Sequence, residues 1–132
     1  MNIQSTAYLL DGDISSRRYF ENLLIMAGYK VKTFASYEEF VDVLESDISG
    51  FIIIDIAMLR MSGVEFVNML ENQGISVPII VVSADDDTSC MKKAKELKAA
   101  SFFRKPVDGT ALLDAIEWTL KTNNFSGSRG NV

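Results

Sequence analysis

The sequence contains no histidine and only one cysteine, Cys90. Without histidine, the chain can form neither a Ser-His-Asp triad nor the usual histidine-based metal sites. A lone cysteine cannot form an internal disulfide, which fits a reducing compartment. A nucleophilic thiol would need a histidine partner, which this chain lacks. We therefore predict a structural or incidental role for Cys90.

Long apolar runs are also missing. The longest ones, such as Phe51 to Ile54, are far too short to span a membrane. Residues 1–6 show no basic stretch followed by an apolar segment, the pattern of a signal peptide. We therefore expect a cytoplasmic protein without a membrane partner. The net charge of −5 argues against direct binding of nucleic acid, because neutralising phosphates requires an excess of basic residues.

The segments that are present alternate in type over a length of 132 residues, which is enough for one domain with a real core. Short apolar, β-branched runs lie near residues 7–10, 30–34, 51–54, 77–82 and 101–103. They are continuous rather than alternating, as expected of strands that are covered on both faces. Amphipathic segments separate them. This pattern predicts an α/β domain of (βα)₅ type, with a parallel sheet and right-handed crossovers.

The amphipathic segments predict five helices. Gly28 is a stop signal for the first helix, Ser36 to Glu39 form a capping box for the second, and Asp108 or Thr110 caps the last. The predicted apolar faces comprise Phe20, Leu23, Leu24 and Ala27; Phe40, Val43 and Leu44; Val64, Val67 and Leu70; Met91, Ala94 and Leu97; and Leu112, Leu113, Ile116 and Leu120. Residues 122–132 have a linker-like composition. We therefore predict a domain over residues 1–121, followed by a flexible tail or the start of a linker.

Polar residues follow four of the predicted strands. They are Asp11, Gly12 and Asp13 after the first strand, Asp55 at the end of the third, Ser83 at the end of the fourth, and Lys105 after the fifth. Ligands bind beyond the carboxyl ends of the strands in open parallel sheets, so we expect these residues on one rim. Each alone has a plainer explanation, such as helix capping by Asp13 or Ser83. Such a structural explanation fits Asp55 less well, because a charge that ends an apolar run is costly without a counter-ion.

Carboxylates, a hydroxyl and a lysine on one rim suit phosphoryl transfer. Mg²⁺ takes few protein ligands, prefers carboxylate oxygens and keeps waters that a phosphate can replace. A lysine supplies a positive charge for phosphoryl oxygens. The residues therefore favour a carboxylate nucleophile that forms an acyl phosphate.

Taken together, these motifs resemble the receiver domain of two-component response regulators, of the CheY-like superfamily, over roughly residues 6–121. The matching stretches are Leu9-Leu10-Asp11, Ile54-Asp55-Ile56-Ala57-Met58, Met61-Ser62-Gly63, Val81-Val82-Ser83-Ala84 and Phe102-Phe103-Arg104-Lys105-Pro106. Lys105 lies 22 residues after Ser83, which is the family's spacing. The resemblance implies a flavodoxin-like, doubly wound sheet with strand order 2-1-3-4-5.

The resemblance implies a bacterial phosphorylation switch rather than an enzyme. Asp55 would accept a phosphoryl group from a sensor histidine kinase or a phosphotransfer protein. Lys105 would contact the phosphate, Ser83 would swing towards it, and Phe102 would change rotamer. The signal would pass to an output domain or target through the face of the fourth helix, fifth strand and fifth helix. A homodimer is also compatible with the resemblance.

The resemblance further implies a Mg²⁺ cofactor held by Asp11, Asp55 and the backbone carbonyl of Ala57. Gly12 occupies the position of the family's second acid, so we expect weak Mg²⁺ binding. Asp13, one residue further along, is an additional candidate ligand because the glycine lets the backbone bend.

Two alternatives remain open. A pseudo-receiver would keep the fold as a protein-interaction module without phosphorylation, and Gly12 motivates that alternative. A phosphatase of the haloacid-dehalogenase type would use the Asp11-Gly12-Asp13 motif, but it needs a pair of late acids that does not follow Lys105. A flavodoxin is excluded because no phosphate-binding loop follows the first strand.

A smaller departure from the receiver pattern is Lys98, which stands where a helix-ending glycine is common and predicts a different turn geometry.

Overall fold

A computed structural model of the chain describes the backbone of residues 5–44, 48–85 and 87–129, and their side chains as far as residue 122. Within these residues, strands and helices alternate as β1 Thr6–Leu10, α1 Ile14–Met26, β2 Lys30–Phe34, α2 Tyr37–Asp42, β3 Gly50–Asp55, α3 Gly63–Asn72, β4 Ile79–Ser83, α4 Thr88–Glu96, β5 Ser101–Arg104 and α5 Gly109–Arg129. A 3₁₀ turn, Ile56–Met58, follows β3. The predicted (βα)₅ alternation is confirmed.

The five strands form one parallel sheet in the order β2-β1-β3-β4-β5. Leu10 lies opposite Ile54 on the neighbouring strand, and Asp55 lies opposite Val82. Ser83 in turn lies opposite Arg104. The predicted strand order is therefore confirmed, and the register places the carboxyl ends of β1, β3, β4 and β5 along one edge of the sheet.

The sheet separates two hydrophobic cores, and successive residues of β3 point into them alternately. Ile52 and Ile54 face α2, α3 and α4, while Phe51 and Ile53 face α1 and α5. All four side chains are fully buried. Coverage on both faces explains why β3 reads as a continuous apolar run. None of the helices in the described residues is both long and apolar enough to cross a membrane.

Four residues that the sequence pattern placed on helix faces are exposed instead, and one of them is Ala27, the C-cap residue of α1. Val43 is 48% exposed and lies beyond the end of α2, Val64 is 50% exposed, and Met91 is 43% exposed. In α3 the fully buried side chain is Phe66, whose aromatic ring buries more area than a valine and so decides which face turns inward. In α4 the corresponding inward residue is the half-buried Cys90.

The start of α2 forms only half of the predicted capping box. The Ser36 hydroxyl accepts a hydrogen bond from the Glu39 N–H at 3.1 Å. The Glu39 carboxylate accepts a bond from Ala35 N–H at 2.9 Å, instead of from Ser36. A complete capping box starts α3, between Ser62 and Glu65.

Helix α5 starts after Asp108, whose carboxylate accepts a hydrogen bond from the Thr110 N–H at 2.9 Å, so Asp108 is the capping residue. Its backbone stays helical to Arg129, beyond residue 121, where composition predicts a flexible tail. Residues 122–129 contain no proline, and a helix that has already formed extends readily. The domain boundary at residue 121 and a linker role for the following residues stay predictions; residues 130–132 lie outside the described part.

The turn after α4 does not have the different geometry that the sequence predicts. Lys98 has a φ of 57°, in the left-handed region, and Ala99 N–H donates to the Ala94 carbonyl at 3.1 Å. The same Schellman arrangement ends α1 at Gly28 and α3 at Gly74, with φ values of 99° and 76°. That prediction is wrong, because the lysine adopts the conformation that glycine takes at the other two helix ends.

We expect Lys98→Gly to raise the free energy of unfolding by about 1 kcal/mol, because glycine reaches left-handed backbone angles without the Cβ clash of lysine. Urea unfolding followed by circular dichroism measures the change. Lys98→Ala is the control, since it removes the charged side chain but keeps the Cβ atom, and we expect no gain from it. Equal stabilities of the two variants would show that the left-handed backbone is not strained.

Candidate functional site

The rim formed by the carboxyl ends of the strands brings four of the predicted residues together. Asp11 follows β1, Asp55 ends β3, Ser83 ends β4 and Lys105 follows β5. Since β1, β3, β4 and β5 are successive neighbours in the sheet, residues far apart in sequence become adjacent at this rim.

Lys105 is the centre of the cluster. Its Nζ lies 2.9 Å from Asp11 Oδ2 and 2.7 Å from Asp55 Oδ2. Burial by itself would lower the pKa of Lys105, but the hydrogen bonds and charges of Asp55 and Asp11 outweigh it and hold that pKa above its ordinary value. The ammonium group is therefore fully charged at neutral pH and shared by two carboxylates.

The second oxygen of each carboxylate accepts a backbone hydrogen bond. Asp11 Oδ1 accepts from Asp13 N–H at 3.0 Å, and Asp55 Oδ1 accepts from Ala57 N–H at 2.9 Å. The side chain of Asp11 is 1% exposed, whereas that of Asp55 is 13% exposed. Both carboxylates are thus oriented by the protein, but Asp55 is the more accessible of the two to solvent.

Asp13 has a different task from the other acids at this rim. Its carboxylate accepts a hydrogen bond from the Ser16 N–H at 2.8 Å and caps α1. The hydrogen bonds from Ser16 lower the pKa of Asp13 below its ordinary value, with a smaller contribution from the charge of Lys105. Asp13 is exposed and is not a hydrogen-bonding partner of Lys105 in the described part of the chain.

Gly12 lies exposed at the surface between the two acids. A Cβ atom at this position would lie 3.2 Å from Met58 Sδ and 3.7 Å from the Ala35 carbonyl oxygen. Methionine side chains are flexible, so a shift of a few tenths of an ångström at Met58 makes room for a side chain. The absence of an acid at residue 12 is therefore not imposed by lack of space.

Ser83 lies next to Lys105, whose backbone N–H donates to the Ser83 carbonyl at 2.8 Å, whereas Phe102 lies within β5 opposite Val81. Ser83 is 2% exposed, and its hydroxyl accepts a hydrogen bond from the Asp85 N–H at 3.0 Å. Phe102 is half-buried on the edge strand β5 and packs against the core beneath α2, α3 and α4.

A family model for the response regulator receiver domain matches residues 8–117. The chain belongs to this family. Receiver domains are signalling modules of two-component systems and are generally not enzymes. The strand order and the acids and lysine at the rim agree with that assignment.

Relatives of this receiver domain include full-length bacterial regulators. TdiR, a transcriptional regulatory protein of Thauera aromatica, is 31% identical over 127 residues, which are 96% of this chain and 56% of TdiR. TodT, a response regulator protein of Pseudomonas putida, is 32% identical over 117 residues, which are 89% of this chain and 52% of TodT. The solved structure of the response regulator StyR matches with a TM-score of 0.80 at 31% identity, covering 98% of this chain and 65% of StyR. The chain spans about half the length of these curated relatives.

The oxygen donors at the rim fit the Mg²⁺ ion that the family implies. Among the described residues, no cluster of three or more His, Cys, Asp and Glu side chains could hold a metal. Two carboxylates, those of Asp11 and Asp55, meet at the rim through their shared contact with Lys105 Nζ. One or two carboxylates with retained waters are enough for Mg²⁺, so the donor set fits this ion.

Two contacts at the rim were not predicted from the sequence. Arg17 Nη1 donates to the backbone carbonyl of Asp11 at 2.8 Å, and the Ser83 hydroxyl lies 3.7 Å from Cys90 Sγ. The second contact had a signal in the sequence. Cys90 precedes Ala94 and Leu97 by four and seven residues, so helical periodicity places all three on one face.

The thiol of Cys90 is held in its protonated form. The hydrogen bond with Ser83 works to lower the pKa of Cys90, but burial and the nearby carboxylates of Asp87 and Asp85 together raise the pKa above its ordinary value. The thiol therefore lacks the thiolate character of a nucleophile.

Proposed function

We propose that this receiver domain accepts a phosphoryl group on Asp55 from a sensor histidine kinase or a phosphotransfer protein and so switches a signalling output. The observation that carries the proposal is the pair of contacts from Lys105 Nζ, at 2.7 Å to Asp55 and 2.9 Å to Asp11. Asp55 is the acceptor because its side chain is 13% exposed, whereas that of Asp11 is 1% exposed.

The transfer forms a bond between a carboxylate oxygen of Asp55 and phosphorus, and it breaks the bond between phosphorus and the nitrogen of the donor's histidine. Lys105 Nζ lies 2.7 Å from Asp55 Oδ2, which supports a contact between its ammonium group and the oxygens of the incoming phosphoryl group. Asp11 positions Lys105 through its buried carboxylate. A Mg²⁺ ion held by Asp11, Asp55 and the Ala57 carbonyl would supply further neutralisation of the phosphoryl charge.

The part of the proposal that concerns signal output is taken from the resemblance to the receiver family. Ser83 turns its hydroxyl towards the phosphorylated Asp55, Phe102 changes rotamer, and the surface of α4, β5 and α5 contacts an output domain or a target. A homodimer through that surface belongs to the same proposal. Because TdiR is a transcriptional regulatory protein, we propose transcriptional control as the output of the complete protein, with DNA contacted by another domain. The proposed location is the cytoplasm.

A second candidate function rests on Gly12. A pseudo-receiver that binds a partner protein without being phosphorylated needs no complete Mg²⁺ site, and this chain lacks a carboxylate between Asp11 and Asp13. The retained contacts among Asp11, Asp55 and Lys105 favour the phosphorylated receiver, because a binding module alone has no need for them.

Treatment with acetyl phosphate and Mg²⁺ is expected to add one phosphoryl group to the wild-type protein, and Asp55→Asn is expected to abolish the addition. Intact-mass spectrometry measures both. Asp13→Asn is the matched control, because it changes an exposed acid of the same rim but keeps a residue that caps a helix well. Modification of Asp55→Asn to the wild-type level would refute the acceptor assignment. A folded wild-type protein that is never modified would support the pseudo-receiver.

A further inference from the structure

Within the part of the chain that the structure describes, the hydroxyl group of Ser83 makes two hydrogen bonds, and both partners lie on the side of α4. Its oxygen accepts a bond from Asp85 N–H at 3.0 Å, and its proton is donated to Cys90 Sγ at 3.7 Å. The backbone of Ser83 is fixed as well, because its carbonyl accepts a bond from Lys105 N–H at 2.8 Å. Rotation of the Ser83 side chain can redirect the hydroxyl without breaking this backbone bond.

The two hydrogen bonds of this hydroxyl have different consequences for phosphate binding. A serine hydroxyl carries one proton but two acceptor lone pairs. Accepting from Asp85 leaves the proton available for another group. Donating to Cys90 uses the only proton, so Ser83 cannot donate to a phosphoryl oxygen on Asp55 at the same time. Cys90 and the phosphoryl group therefore compete for the same proton.

Cys90 also connects this competition to the first turn of α4. Its backbone N–H donates at 2.9 Å to the carboxylate of Asp87, which caps the helix. The other end of α4 is attached differently. A Cβ atom on Gly63 would lie 2.6 Å from Glu96 Cβ, so α3 and the end of α4 pack in close contact. Glu96 additionally accepts a bond from Gly63 N–H at 3.1 Å. The two ends of α4 thus differ in how they are held.

We propose that Cys90 is a positioning residue that holds the Ser83 hydroxyl away from Asp55 in the resting domain. Phosphorylation then releases the first turn of α4, because the phosphoryl group replaces Cys90 as the acceptor of the Ser83 hydrogen bond. The proposal rests on the proposed phosphorylation of Asp55 and extends it to a residue outside the rim. A thiol is a weak acceptor, so the resting contact is easily exchanged for a charge-assisted bond to phosphate.

The first test is the affinity for beryllofluoride, which stands in for the phosphoryl group, in the presence of Mg²⁺. We expect Cys90→Ala and Cys90→Val each to bind it about threefold more tightly than wild type, the change expected from losing one weak competing hydrogen bond. Valine resembles cysteine in size but has no acceptor, so it separates the hydrogen bond from packing. Ser89→Ala, on the exposed side of the same turn, is the control and should leave the affinity unchanged.

The second test asks whether Cys90 acts through Ser83. In a Ser83→Ala background, Cys90→Val should no longer change the affinity, since the proton for which the two groups compete is gone. An effect of equal size in that background would overturn the proposal. A tighter affinity for Cys90→Ala alone, with Cys90→Val unchanged, would also overturn it, because packing would then be the cause.

A third measurement does not depend on phosphorylation. In the resting protein, NMR couplings of the Ser83 β-protons should show one side-chain rotamer in wild type and a second populated rotamer in Cys90→Val. Identical rotamers in both proteins would overturn the resting contact itself. Failure of the proposed function looks different, because wild type would then gain no phosphoryl group from acetyl phosphate, whatever the rotamer of Ser83.

Discussion

Replacement of Lys105 by methionine is expected to lower the free energy of unfolding at pH 7 by about 3 kcal/mol and to remove most of the spectral response to beryllofluoride. The side chain of Asp11 is 1% exposed, and Lys105 is its partner at 2.9 Å. Without the lysine, a buried carboxylate faces that of Asp55 with no cation between them. Methionine keeps the length and apolar character of the lysine stem, so the change isolates the charge.

The pH dependence of this effect has a defined sign. The pKa of Lys105 is raised above its ordinary value of 10.5 by Asp55 and Asp11, against the effect of burial. When the pKa is higher in the folded state, the charged lysine stabilises the fold fully at pH values below its unfolded-state pKa. This stabilisation is lost as the pH rises through the folded-state pKa. The stability difference between wild type and Lys105→Met should therefore stay constant from neutral pH towards 10 and shrink above 10.5.

Lys121→Met is the matched control for this experiment. Lys121 Nζ lies 3.6 Å from Glu117, but the two side chains are 73% and 64% exposed. Exposed pairs contribute little, so we expect a change within about 0.5 kcal/mol. Denaturant unfolding at several pH values measures all three proteins. Equal stabilities of the two variants at pH 7 would show that Lys105 does not neutralise the buried acid.

Introduction of an acid by Gly12→Asp is expected to tighten Mg²⁺ binding about tenfold, or ~1.4 kcal/mol. The wild-type site offers the carboxylates of Asp11 and Asp55, and a third carboxylate adds charge and an oxygen donor for a hard cation. The structure leaves room for the new Cβ atom, since among the described residues only the flexible Met58 lies within 3.4 Å of it. The same change should destabilise the metal-free protein through repulsion between like charges.

Calorimetric titration with Mg²⁺ measures the two affinities directly. Gly12→Asn is the control, because it has the size of aspartate without the charge, and we expect it to gain much less. If wild type already binds as tightly as Gly12→Asp, another group has replaced the missing acid. In that case Asp13 would have to leave its position as the cap of α1. Absence of binding in both proteins would favour the pseudo-receiver.

The strands were the most predictable part of the fold. Lys30–Phe34 agrees with the predicted run, and the others differ by one or two residues at their ends. Strands covered on both faces carry a dense, unambiguous apolar signal. Helix faces were harder, since neighbouring apolar residues compete for the inward position. In α3, Phe66 is buried and Val64 is exposed, although both are apolar.

Residue types and spacing also determined most of the candidate site. Asp11, Asp55, Ser83 and Lys105 were identified because they follow strands whose carboxyl ends share one edge. The resemblance to receiver domains depends on the same spacing, which the family assignment supports. Their assignment as acceptor, metal ligand and switch residues stays a prediction.

The sequence by itself determined the order of strands and helices, the family and the set of polar residues at the rim, because these depend on local apolar patterns and on spacing along the chain. Only the tertiary structure decided which of these polar residues are buried, which are accessible and which cap a helix. It buries Asp11, leaves Asp55 accessible beside Lys105, and uses Asp13 as a helix cap. It also places Cys90 against Ser83. Burial and hydrogen-bond partners arise from packing between distant segments, so no local pattern contains them.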